Sequence, residues 1–79
     1  MTTTITMRHA TNWAGQEYLG FYDGSKLIGE VYPTDDGKFR VFHRLNLIGI
    51  HLEEHWAISH LQKAVAAGIT GAVKFALAR

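Results

Sequence analysis

The residues best spaced for chemistry in this chain are His51-Leu52-Glu53-Glu54-His55. Two histidines four apart on a helix can share a metal ion, and a glutamate between them can act as base, so the spacing is that of a zinc hydrolase. Such a centre needs a further acidic ligand, yet of the 24 residues after His55 none is Asp or Glu. His51 also falls at the very start of the expected helix, and a chain this short leaves little room for a substrate cleft. These residues read as solvated helix-start groups, and the expectation is no metal and no cofactor. His60 follows His55 by five positions, a rotation of about 140° around a helix, so that pair does not converge. His9 and His43 are isolated. Ser25 and Ser59 are the only serines, and neither sits in a nucleophile-elbow context. Asp35-Asp36 belongs to a turn, where short acidic side chains bond their own backbone, and the glycines are dispersed rather than clustered around a phosphate. No catalytic constellation results, and the chain reads as a non-enzyme.

The elements that would carry function are short. The chain has 79 residues, no cysteine, one proline, eight glycines and a net charge of +1. That is room for one domain, residues 1–79, with a small core and neither disulfides nor thiolate metal sites. The absence of cysteine suits a cytoplasmic setting. The threonine-rich start lacks the basic and apolar regions of a signal peptide, and no apolar run reaches membrane-spanning length. A charge this small does not announce a nucleic-acid partner.

Residues Gln16–Arg44 read as an antiparallel meander, with strands at Gln16–Tyr22, Lys26–Tyr32 and Lys38–Arg44. The turns at Asp23-Gly24-Ser25 and Pro33–Gly37 separate them. Loops of those lengths pair Phe21 with Leu27, Leu19 with Gly29, Val31 with Phe39 and Glu30 with Arg40. One face then collects Leu19, Phe21, Leu27, Gly29, Val31, Phe39 and Val41. Thr2–Arg8 reads as an earlier strand, joined by a turn at Asn12–Gly15. Leu52–Ala67 reads as a helix with Ala57, Ile58, Leu61, Ala64 and Val65 on one side, stopped by Gly68. In Thr70–Arg79, Val73, Phe75 and Leu77 alternate like a strand. The alanines and the Val73–Leu77 spacing favour a short helix instead. The expected fold class is α+β: a small antiparallel sheet of three to four strands, one main helix across its apolar face, and a short C-terminal helix or strand.

The opposite sheet face is the most informative feature. It gathers Tyr18, Tyr22, Tyr32, Phe42 and Ile28 with Lys26, Lys38, Arg40 and Arg44, against Glu30 alone. Aromatic and cationic side chains on an open sheet serve protein interfaces and also single-stranded nucleic acid. Trp56 points away from the helix's apolar stripe, toward Ser59 and Lys63, and joins these residues as a candidate partner contact. Trp13, in the turn before the meander, reads as a lid on the core.

The run Trp13-Ala14-Gly15-Gln16, then Tyr18-Leu19-Gly20-Phe21-Tyr22-Asp23-Gly24, Leu27-Ile28-Gly29-Glu30-Val31-Tyr32 and Asp36-Gly37-Lys38-Phe39-Arg40-Val41 precedes an acid-capped, alanine-rich helix. In size and layout it resembles small proteins of phages and mobile elements, the anti-CRISPR proteins among them. The resemblance implies a cytoplasmic inhibitor that sterically blocks a host defence complex, such as a CRISPR surveillance complex. A net charge of +1 separates it from strongly acidic DNA mimics. The alternative is a small nucleic-acid-binding or regulatory domain using the same face.

Overall fold

The computed structural model describes residues 1–78. Six strands and one helix follow in the order β1 (Thr2–Thr11), β2 (Glu17–Asp23), β3 (Lys26–Pro33), β4 (Phe39–His43), β5 (Asn46–His51), α1 (Glu54–Ala67) and β6 (Ala72–Leu77). The strands form one sheet in the order β5-β4-β3-β2-β1-β6. Consecutive strands pair antiparallel, and β6 lies parallel to β1. The fold is α+β, with a mixed sheet of six strands where three or four antiparallel ones are expected from the sequence.

The two additional strands have separate physical origins. β5 covers residues to which the sequence pattern assigns no element: β4 and β5 are joined by two residues, Arg44 and Leu45, both at positive φ (51° and 70°). Two left-handed residues make the tight turn whose twist matches its strands, a turn normally announced by Asn-Gly or Asp-Gly. Arg44 therefore lies in a turn and not in β4. Each non-glycine residue held there costs roughly 1–2 kcal/mol. Replacing Arg44-Leu45 by Asn-Gly is therefore expected to raise stability by about 1 kcal/mol, after the entropy cost of the new glycine. Urea unfolding measures this, and a lowered midpoint would mean that the native side chains repay the strain through contacts.

β6 replaces the short C-terminal helix favoured by the alanines; Arg79, the end of that segment, lies outside the described residues. The second edge of β1 supplies a long-range partner that local propensity does not register. Ile5 sits opposite Phe75, and the Ala78 N–H donates to the Met7 carbonyl at 2.8 Å.

Both expected hairpin registers slip by two residues. Leu19 faces Val31 and Phe21 faces Gly29, while Val31 faces Val41 and Glu30 faces Phe42. The loops are shorter than the turn-forming residues suggest. Gly24-Ser25 joins β2 and β3. Thr34 and Lys38 close a three-residue loop, with the Thr34 N–H donating to the Lys38 carbonyl at 2.8 Å and Gly37 at φ 80°. A slip of two keeps every side chain on its own face, so Leu19, Phe21, Val31 and Val41 are buried as the alternation predicts. Leu27 is the exception. A register shift beside Phe21 and Tyr22 turns it to the exposed side, and Ile28 packs against the core in its place. The expected pairing of Glu30 with Arg40 is not made.

α1 starts at Glu54, two residues later than the sequence suggests, with Glu53 in extended conformation at its N-cap. It contacts β3, β4 and β5. Ala57, Leu61 and Val65 join Ile5, Leu19, Phe21, Val31 and Val41 in one buried cluster. Gly68 ends the helix at φ −92°, outside the left-handed region; its N–H donates to the Val65 carbonyl at 3.1 Å, and the Ile69 N–H donates to the Ala66 carbonyl at 3.2 Å.

Candidate functional site

The face of the sheet away from α1 carries a band of rings. Tyr18 of β2 stacks on Tyr32 of β3, with centroids 4.9 Å apart and planes at 26°. Tyr32 in turn meets Phe42 of β4 edge-on at 5.8 Å. Each ring neighbours a buried inward residue in sequence (Leu19, Val31, Val41), so strand alternation alone aims it outward. Tyr22 extends the band toward β1 by lying over Gly20, where a side chain would come within 2.7 Å of its ring. Arg8 of β1 sits over the Tyr22 ring at 5.2 Å, within cation–π range. At the other end, Leu47 and Ile50 of β5 pair with Phe42 and Arg40, and remain 51% and 53% exposed. They carry the apolar strip to the sheet edge.

Local chemistry fixes these groups. A hydrogen bond with Tyr22, followed by burial, pushes the Tyr18 phenol up to about 12. Burial is also the main cause raising Tyr32, opposed by a hydrogen bond with Asn12. Both phenols are therefore neutral, hydrogen-bonding groups at physiological pH. An open groove of about 660 Å³ runs beside the rings, lined among others by Glu30, Tyr32, Asp35, Asp36, Arg40 and Phe42. Its rim is ordered by the β3–β4 turn, where the Thr34 hydroxyl bonds Asp36 and the Lys38 carbonyl. That Thr34 hydrogen bond holds the Asp36 carboxyl below the usual carboxylate range.

The structure assembles part of the expected set. Tyr22, Tyr32, Arg40 and Phe42 share the band. Lys38 lies in the turn, 3.8 Å from Asp36. Lys26 sits at the end of the β2–β3 hairpin opposite Asp23, and Arg44 occupies the β4–β5 turn. Three of the four expected cations are thus at turns. Arg8, Leu47 and Ile50 also belong to the band, on strands outside the meander that the sequence pattern marks. Trp56 is 59% exposed, but on α1, the opposite side of the sheet, where its ring meets that of His55. Trp13 is no lid: it is 99% exposed at the tip of a turn ordered by Asn12, whose side-chain oxygen accepts from the Ala14 and Gln16 N–H groups.

The His51–His55 spacing does not form a helical pair. His51 ends β5, and exposed His55 lies 3.2 Å from Glu53. Among the described residues no three His, Cys, Asp or Glu side chains converge as a metal site. No described helix is long and apolar enough to cross a membrane.

The fold and surface define a small α+β domain with an aromatic sheet face. No protein-family model, curated protein or solved structure significantly matches the chain.

Proposed function

We propose that the chain is a non-enzymatic binding protein that engages a protein partner through its outer sheet face. The observation that carries this reading is the Tyr18–Tyr32–Phe42 ring band, continued by the exposed Leu47 and Ile50. Protein interfaces concentrate aromatic, aliphatic and arginine side chains at their centre and place charge at the rim. Arg40 beside the rings, and Asp35 and Asp36 along the groove, match that arrangement. The same carboxylates repel a phosphate backbone, and the rings are engaged with one another rather than splayed for bases. Both features favour protein over nucleic acid. The resemblance to anti-CRISPR proteins supplies the partner class: a host defence complex, blocked by occupation of its surface.

The purified chain is expected to co-elute with a CRISPR surveillance complex and to suppress target cleavage by it. Co-elution and inhibition with none of the complexes tried would remove the defence-complex reading. The Arg8–Tyr22 stack is the one observation that favours the nucleic-acid alternative. A labelled single-stranded oligonucleotide shifted by the chain, with binding falling steeply as salt rises, would establish that alternative in its place.

A further inference from the structure

We propose that His51 and His60 form a two-histidine site for a divalent transition-metal ion, held between the end of β5 and the middle of α1. His51 Nε2 and His60 Nδ1 face each other at 2.9 Å, with their rings at 84°. Two imidazole nitrogens bound to one ion at 2.0–2.1 Å stand about 2.9 Å apart at right-angle coordination and about 3.3 Å apart at tetrahedral coordination. The pair has the separation suited to the tetragonal geometry of copper(II) or nickel(II), and each ring turns on binding so that its lone pair, directed at the other ring in the hydrogen bond, points to an ion lying off the line between the two nitrogens. Zinc requires the rings to part by about 0.4 Å.

The backbone beneath the pair leaves space for this arrangement. Gly49 faces α1 between the two rings, and a side chain there would come within 2.6 Å of His60 Cε1, 2.7 Å of His60 Nδ1 and 3.3 Å of His51 Nε2. Both rings are half-buried, one on a strand paired with Phe39 and the other on a packed helix, so their approach is set by the fold. His51 and His60 lie nine residues apart on different elements, a juxtaposition unrelated to the H-x-x-E-H spacing. With no third protein ligand among the described residues, water or an exogenous donor completes the coordination. In the metal-free chain, one facing nitrogen carries the proton of the hydrogen bond. On binding, that proton moves to the other nitrogen of the same ring, freeing both lone pairs with no net proton released.

Titration of chelator-treated protein with copper(II), nickel(II) and zinc(II) chlorides by calorimetry is expected to show one ion per chain, with copper binding tighter than nickel. His51→Ala and His60→Ala should each weaken binding at least tenfold, and Gly49→Ala should weaken it by displacing His60. His55→Ala should bind as the parent does. Zinc titration of the unaltered chain, followed by NMR of its imidazole signals, gives a readout that needs no variant: those of His51 and His60 should shift first. Absence of saturable binding, or first shifts at His9, His43 or His55, would reduce the contact to a hydrogen bond and overturn the proposal.

Discussion

Leu61→Ala is expected to lower the unfolding free energy by about 2–5 kcal/mol, near the upper end of that range. Leu61 is fully buried, and its two terminal carbons lie 2.8 and 3.0 Å from where a Cβ on Gly29 would be. The leucine fills the space that the glycine leaves open on the inner sheet face. Truncation opens a cavity whose floor is bare backbone, and the neighbouring Val31 and Val41 are stiff, β-branched residues that collapse poorly into it. Gly29→Ala alone is also expected to destabilise, because Leu61 must move away and the Phe42 carbonyl is only 3.2 Å from the new methyl. Combined, the two substitutions should cost less than their sum, since the added methyl occupies part of the cavity. Urea unfolding of the four proteins measures the cycle. A Leu61→Ala chain within about 1 kcal/mol of the parent would show that α1 does not rely on this contact.

The sequence was most informative where turn chemistry and alternation agree. Asp23-Gly24 and Asp36-Gly37 mark two hairpins. Even with each register wrong by two residues, Leu19, Phe21, Val31 and Val41 are selected as buried, because an even slip leaves the faces unchanged. Alternation fails at Leu27, where the register shift beside Tyr22 reverses the side on which it falls. β5 is hidden by its turn: neither Arg44 nor Leu45 is a residue that signals positive φ, so nothing in the local sequence announces the strand they introduce. β6 was hidden by distance, since the partner that makes Ala72–Leu77 a strand lies some 70 residues earlier in the chain. The candidate face was therefore legible in its rings but not in its extent, as Arg8, Leu47 and Ile50 come from strands that only the sheet order brings alongside. Trp13 went the other way. Its size suggested a core residue, while the Asn12 side-chain bonds that hold its turn leave it outside.

Arg40→Ala and Phe42→Ala are each expected to weaken partner binding by about 2 kcal/mol or more, roughly a thirtyfold loss. Interface energy concentrates in a few aromatic and arginine side chains near the centre of a patch. These two lie there, between the Tyr32 ring and the exposed Leu47 and Ile50. Arg40 is exposed and opposite Tyr32, and Glu30, its expected ion-pair partner, faces Phe42 instead. Its removal therefore leaves the fold nearly intact. Phe42 is half-buried and contributes to the ring band, so its truncation also lowers stability, and binding is compared only under conditions where circular dichroism shows both proteins folded. Trp56→Ala and His55→Ala, on the opposite side of the sheet, serve as the matched controls and should bind as the parent does. The measurement is titration of each variant against the partner that the co-elution experiment identifies. Full affinity in Arg40→Ala and Phe42→Ala, with loss in Trp56→Ala, would transfer the interface to the exposed side of α1. The ring band would then be left as a purely structural ladder that stabilises the sheet.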